Sequence, residues 1–243
     1  MILTVLYVLY AFLIFCTSFF TLPVYAVLRL FRAEKASAKY LNAVSSWVGR
    51  RLIKATGSKV NIQGKENLPD SDQKAICIIS NHQSFFDIPL LTMSFPFPVG
   101  FIAKKSLGRI IFLKIWMMAL HCVLIDRKSP KSSIRAIEKG VLSIKKGRPM
   151  LIFPEGTRSK SSVVGKFKKG ALKLATRSDA CIIPVSIDYV YKLFEETGKI
   201  KKHEVKVFIH PPIYTNRLSE DEKDQLADRL QAVIESEAGK AQN

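Results

Sequence analysis

Two groups of residues in this chain have the types and spacing to do chemistry. The first is Asn81-His82-Gln83-Ser84-Phe85-Phe86-Asp87. A neutral imidazole, with an unperturbed pKa of about 6.5, can take the proton of a hydroxyl near pH 7 as that oxygen attacks an electrophilic carbon. A carboxylate bonded to Nδ1–H would keep Nε2 as the acceptor and stabilise the imidazolium that forms, as it does in part of the serine-protease constellation. His82 and Asp87 can meet if the chain turns from a strand into a helix between them. The same residues also fit a plainer description, because Ser84 followed by Asp87 is close to a capping box that merely closes a helix N-terminus. His121, His203 and His210 lack such partners and read as structural or surface residues.

The second group is Phe153-Pro154-Glu155-Gly156-Thr157-Arg158, with Phe167-Lys168-Lys169-Gly170-Ala171 shortly after it. An arginine in a strand-end loop offers a phosphate a planar two-point donor, and a helix N-terminus adds backbone N–H groups. A solvated basic loop would have the same composition. The four cysteines, Cys16, Cys77, Cys122 and Cys181, lie far apart in apolar stretches. They read as reduced, buried thiols of a cytoplasmic compartment rather than zinc ligands or a redox pair. A Gly-x-Ser-x-Gly elbow is absent, and Ser84 is too close to the His–Asp pair to serve comfortably as a nucleophile.

Both groups need elements to carry them. After Gly57 short β-rich runs alternate with helical stretches, which predicts an α/β domain with a largely buried, mostly parallel central sheet flanked by helices. Strands are expected at Lys59 to Ile62, Ala75 to Ile79, Gly100 to Ala103, Cys122 to Ile125, Met150 to Phe153, Ile182 to Ile187 and Val205 to Ile209. Helices are expected at Phe85 to Ser94, Leu107 to Ala119, Ser132 to Lys146, Gly170 to Arg177 and Glu220 to Glu237. His82 then follows one buried strand directly and Glu155 another, at strand ends where functional loops gather.

Ahead of this body, Met1 to Leu28 carries no charged side chain, which is the length of a bilayer core. It lacks the basic start and small-residue cleavage site of a signal peptide. Pro23 could let it fold back into one leaflet rather than span. Arg29, Arg32, Lys35 and Lys39 follow, so the positive-inside rule puts the rest of the chain on the cytoplasmic side. Leu41, Val44, Val48 and Leu52, beside Trp47 and Arg50, Arg51 and Lys54, read as an amphipathic helix drawn to anionic lipid, although a core-facing helix has the same spacing. The division expected is a two-helix membrane-anchoring element over residues 1–56 and a catalytic domain over residues 57–243. A net charge of +18 over 243 residues calls for an anionic partner. No nucleic-acid fold signature accompanies it, which leaves lipid headgroups or a phosphorylated substrate.

Taken together, Asn81-His82-x4-Asp87 and Phe153-Pro-Glu-Gly-Thr-Arg158 resemble the two signature blocks of the glycerolipid acyltransferases, specifically the 1-acyl-glycerol-3-phosphate acyltransferases. Val123-Leu-Ile-Asp126-Arg127 and Ile183-Pro184-Val185 are similar to two weaker blocks of that family. The resemblance covers roughly Ile76 to Ser186 and implies His82 as base, Asp87 as its orienting partner, and Glu155, Gly156 and Arg158 lining the acceptor site. It implies further that Arg158 holds the glycerol phosphate, with Lys104 near it and Arg127 adding to the basic pocket. The chain departs from the family in having His121 where glycine usually precedes the Val-Leu-Ile-Asp-Arg block. It also lacks the usual Pro-x-x-Gly between Ile110 and Trp116.

The activity so implied is transfer of a fatty acyl group from acyl-CoA or acyl carrier protein to the sn-2 hydroxyl of lysophosphatidic acid, giving phosphatidic acid at an anionic phospholipid membrane. No metal or cofactor is implied. Apolar residues along Phe95 to Phe101 and Ile110 to Met118 could border an acyl channel. A glycerol-3-phosphate or lyso-ornithine-lipid acyltransferase would share the base and differ in acceptor pocket, and a basic membrane-anchored binding protein is the alternative outside enzymes.

Overall fold

The computed structural model describes residues 2–70, 72–126 and 128–239. The β-rich runs pair into one sheet: β1 (Lys59–Gln63), β2 (Ile76–Ser80), β3 (Gly100–Lys104), β4 (Val123–Ile125), β5 (Met150–Ile152), β6 (Cys181–Asp188), β7 (Glu204–Ile209) and β8 (Ile213–Tyr214). Their order is β1-β7-β6-β2-β5-β3-β4, with β8 on β6. Pairings among β2, β3, β4, β5 and between β2 and β6 are parallel, while β6 meets β7 and β8 antiparallel. The fold is therefore α/β with a mostly parallel central sheet, as the alternation predicts.

The centre of the sheet is buried on both faces, which is why its strands read as unbroken apolar runs. Side chains alternate between two cores. Ile76, Ile78, Leu151, Ile183, Val185 and Ile187 face one, and Cys77, Ile79, Met150, Ile152 and Ile182 face the other. Each large aliphatic side chain so buried contributes roughly 1.5–3 kcal/mol, and a one-residue slip would swap the faces of a whole strand. Register is thus pinned, and with it the loops that leave the strands. Cys77 and Cys181 are buried and Cys16 and Cys122 half-buried, all free thiols.

The helices are α1 (Ile2–Phe19), α2 (Leu22–Leu30), α3 (Glu34–Ala55), α4 (Asp87–Ser94), α5 (Ile111–Ala119), α6 (Pro130–Lys145), α7 (Lys169–Thr176), α8 (Glu220–Asp224) and α9 (Leu226–Glu235). α4 starts two residues later than predicted, because residues 81–86 are held in a loop by side-chain bonds described below. The single helix expected over Glu220 to Glu237 is two, and β8 was not foreseen, since two residues after Pro211 and Pro212 show no periodicity.

Pro23 lies at the start of α2, where its missing N–H costs nothing, and it separates two apolar helices. The stretch Ile2–Leu30 is long and apolar enough to cross a membrane, with a mean hydropathy of 2.2 over its most apolar 18 residues. Ile2, Leu9, Phe12, Phe20, Leu30 and Phe31 are exposed. Yet the stretch touches the body near both ends. Thr4 Oγ1 accepts from Ile200 N at 3.1 Å, the Tyr7 and Phe86 rings meet at 5.6 Å, and Tyr25 Oη donates to Ala119 O at 3.4 Å.

The apolar stripe of α3 faces inward, so the expectation that it lies on lipid is corrected. Leu41, Val44 and Leu52 are buried, and the helix packs closely on α4: a Cβ at Gly49 would stand 2.4 Å from the Pro89 carbonyl oxygen. Only glycine permits that approach, which seats the helix that begins with Asp87.

Candidate functional site

The parallel pairing brings the C-terminal ends of β2, β3, β4 and β5 to one edge, and the two motif loops leave from β2 and β5 side by side. In the first loop His82 Nδ1 lies 2.6 Å from Asp87 Oδ2. The same oxygen accepts the backbone N–H groups of Gln83 and Ser84 at 2.7 and 2.9 Å. The capping box itself does not form, because the Ser84 hydroxyl donates to Glu195 and accepts the Phe86 N–H; the Asp87 carboxylate instead closes the turn and orients the imidazole. With Nδ1 occupied, Nε2 is the nitrogen left to exchange a proton.

Asp87 is fully buried, and burial pushes its carboxyl up from the ordinary range while the bonds from His82, Ser84 and Gln83 oppose that rise. Its Oδ1 is buried with no hydrogen-bond partner among the described residues. The Phe153 ring stacks on the imidazole at 4.0 Å and 11°, leaving the His82 side chain 13 % exposed.

Glu155 braces this arrangement. Its Oε1 accepts the His82 backbone N–H at 2.7 Å and its Oε2 accepts Gly165 N–H at 3.0 Å. Burial pushes its pKa up to about 7, against the two amide bonds. Both oxygens are engaged by the chain itself, so Glu155 stands behind the base instead of presenting free oxygens to an acceptor. Gly156 takes φ 76°, a left-handed turn that suits glycine, and it borders a cavity described below.

Arg158 sits with its guanidinium 3.4 Å from the Phe85 ring centroid, and its Nη1 donates to Glu195 Oε1 at 2.9 Å. Glu195 was missed by sequence reasoning. It also accepts Phe85 N–H at 2.8 Å and, through Oε2, the Ser84 hydroxyl at 2.6 Å. One carboxylate thus ties the two motif loops together. Its signal in the sequence is nil: Phe194-Glu195-Glu196-Thr197-Gly198 reads as a solvated turn.

The first loop is fastened to β6 as well. Asn81 exchanges two bonds of 2.9 Å with the Ile187 backbone, and Gln83 bonds Asp188 Oδ1 and Val190 N–H at 3.3 and 3.1 Å. Lys104 ends β3 on the same edge; it is exposed and, among the described residues, makes no ion pair. Arg127 lies outside the described residues. No group of three or more His, Cys, Asp or Glu side chains among them could hold a metal ion.

A cavity of about 480 Å³ adjoins the pair, walled by Ile102, Ile125, Ile134, Ile137, Ile152 and Phe153, with Lys168, Lys173 and Arg177 also lining it. Phe153 is shared between this wall and the stack on His82. A smaller, apolar cavity of about 120 Å³ lies between α1, α3, α4 and α5, where Phe101, Leu113, Trp116 and Met117 contribute.

Residues 59–188 match the family model described as Acyltransferase. The chain is 33 % identical over 180 residues to a chloroplast 1-acyl-sn-glycerol-3-phosphate acyltransferase of Brassica napus, covering 72 % of this chain and 52 % of that one. With the 1-acyl-sn-glycerol-3-phosphate acyltransferase of Borreliella burgdorferi it shares 32 % over 179 residues, 73 % of this chain and 71 % of that one. It spans about half the length of the chloroplast relatives. Among solved structures it resembles the 1-acyl-sn-glycerophosphate acyltransferase of Thermotoga maritima, with a TM-score of 0.74, 28 % identity and 95 % coverage of each chain.

Proposed function

Because this chain belongs to the acyltransferase family, we propose that it moves a fatty acyl group from an acyl thioester to the sn-2 hydroxyl of lysophosphatidic acid, giving phosphatidic acid. The observation that carries this reading is the 2.6 Å bond between His82 Nδ1 and Asp87 Oδ2. It leaves Nε2 as a base beside the loop that carries Arg158.

His82 Nε2 takes the proton of the sn-2 hydroxyl as its oxygen bonds to the thioester carbonyl carbon. The imidazolium so formed is stabilised by Asp87, bonded to Nδ1. As the tetrahedral intermediate collapses the carbon–sulfur bond breaks, and the imidazolium returns the proton to the leaving thiolate. No covalent acyl-enzyme is needed, and the activated nucleophile is the substrate's own oxygen.

Arg158 receives the acceptor's phosphate. One of its nitrogens is engaged by Glu195 and the others remain for a two-point contact. The 480 Å³ cavity takes the acyl chain of the donor, since its size is that of a small-molecule pocket and its wall ends on Phe153 beside His82. Lys168, Lys173 and Arg177 then meet the donor's phosphates, whether these come with coenzyme A or with an acyl carrier protein. Lys104 adds positive charge along the same edge.

α1 and α2 attach the chain to one leaflet. Contacts with the body at Thr4, Tyr7 and Tyr25 support an in-plane element rather than a spanning one. The cytoplasmic face is favoured by Arg29, Arg32, Lys35 and Lys39, which would meet anionic lipid there.

Detergent-solubilised chain with lysophosphatidic acid and palmitoyl-CoA or palmitoyl acyl carrier protein tests the reading by free-thiol release and product analysis. Phosphatidic acid formed by the wild type and lost in His82→Ala is expected. Turnover surviving His82→Ala would remove the base. Binding without turnover for any donor or acceptor would leave a lipid-binding protein.

A further inference from the structure

At the edge of the sheet opposite His82, a cavity of about 340 Å³ opens under the N-terminal ends of β2, β3, β4 and β5, marked by Ile76, Pro98, His121 and Pro149. Its other wall is made by α2 and α3 through Tyr25, Arg29 and Leu41. The length of β2, about 15 Å, separates it from the base. Four cations line it, Arg29, Lys74, Lys146 and Arg148, against the single carboxylate of Glu34. Among the described residues none of these four is in an ion pair. The remaining polar neighbours are already occupied: Gln73 Nε2 donates to Ala75 O and the Ser37 hydroxyl to Glu34 O.

His121 lines this cavity, close enough to Arg148 and Arg29 to feel their charges, and is the residue that replaces the family's usual glycine. The structure explains the glycine, since position 121 takes φ 56°, the left-handed region. The chain tolerates a histidine there, and its ring lines the same cavity as the four cations. Burial, then the charges of Arg148 and Arg29, hold the imidazole down to about 4, so it is neutral at pH 7 while the positive field around it is unbalanced.

The surroundings identify the kind of anion. Arg29 lies in the last turn of α2, whose exposed Val24, Val27 and Leu30 belong to the stretch that is long and apolar enough to cross a membrane. A basic cavity opening beside such a surface fits an amphiphile, with its phosphate between the guanidiniums and its chains along α2. We propose that this cavity is a second, non-catalytic lipid site, which takes the phosphate of an anionic phospholipid headgroup at the junction of the membrane helices with the catalytic body. It needs neither His82 nor Arg158 and stands apart from the reaction proposed above. Its occupant would fix the angle at which the body sits on the membrane.

The test is a titration of the full chain, in uncharged detergent, with dioctanoylphosphatidylglycerol, dioctanoylphosphatidylcholine and inorganic phosphate in separate arms. Wild type is compared with Arg29→Ala/Arg148→Ala and with Lys139→Ala/Arg229→Ala, an equal loss of charge at exposed positions elsewhere. The anionic lipid should bind the wild type, lose at least tenfold in affinity in the first pair and change less than twofold in the second. Addition of the anionic lipid to wild type should also raise the titration midpoint of His121, followed by NMR, because an anion between the arginines favours the imidazolium. This readout needs no substitution and so does not depend on a variant folding. Equal losses in both pairs, unchanged binding by the arginine pair, or a stationary His121 midpoint would overturn the proposal. Inorganic phosphate or the zwitterionic lipid binding as tightly as the anionic lipid would do so too.

Discussion

The backbone of His82 is held on both sides by the loop that follows β5. Its N–H donates to Glu155 Oε1 at 2.7 Å, and its carbonyl accepts from Ser159 N at 2.8 Å. The proposed base and the proposed phosphate loop are therefore one mechanical unit, in which Glu155 sets where the imidazole stands. A shift of about 1 Å in such a unit is enough to cost two orders of magnitude in rate.

Glu155 gives this unit a pH dependence. Its carboxyl titrates near 7 in the folded chain against an ordinary 4.5, so the folded state binds the proton more tightly. The resulting stabilisation, on the order of 3 kcal/mol, is complete below about pH 4.5 and is lost as the pH rises through about 7. Thermal midpoints measured from pH 4.5 to 8 should fall more steeply for wild type than for Glu155→Gln. Parallel curves would show that the carboxyl does not titrate in this window.

Asp87→Asn retains the shape of the side chain and removes its charge. The two backbone N–H groups and the imidazole then compete for one amide oxygen. The expected result is a fall in kcat of about 10²–10⁴ with little change in acceptor KM. Initial-rate kinetics at saturating donor check this, and an equal rise in KM would instead place Asp87 in substrate binding.

Arg158 and Glu195 should separate kinetically. Arg158→Ala removes the proposed phosphate contact, so acceptor KM should rise ten- to a hundredfold with kcat less affected. Glu195→Ala leaves Ser84, the Phe85 amide and Arg158 without their shared partner. A loss of about 1–3 kcal/mol in unfolding free energy is expected, together with a fall in kcat as the loop carrying His82 loosens. Denaturant unfolding and full kinetics of both variants decide; a Glu195→Ala chain as stable as wild type would count against its bridging role.

Ile137 lies in the wall of the 480 Å³ cavity. Ile137→Trp should fill part of that space and lower kcat/KM for palmitoyl donors more than for octanoyl donors. Comparison of donors from eight to sixteen carbons reads this out, and a uniform change across lengths would move the acyl chain elsewhere, the 120 Å³ cavity near Leu113 and Trp116 being the next place to probe.

The sequence by itself pointed to the sheet, because Ile76-Cys77-Ile78-Ile79 and Cys181-Ile182-Ile183 are short runs rich in β-branched residues, apolar at every position and alternating with helical stretches, as strands covered on both faces are. It also pointed to the pairing of His82 with Asp87, since a strand-to-helix turn at that spacing can bring base and carboxylate together. Tertiary structure decided the rest. Glu195 meets Ser84 across 111 residues and Arg158 across 37, distances over which no periodicity carries information. Whether the stripe of α3 faced lipid or protein depended on the partner it found, which was α4 packed against Gly49. The cations beside His121 became a cluster only when β2, β4 and β5 were aligned at their N-terminal ends. Local propensity acts over one or two turns of chain, whereas a shared carboxylate or a shared cavity exists only after folding has brought separate segments within hydrogen-bond reach.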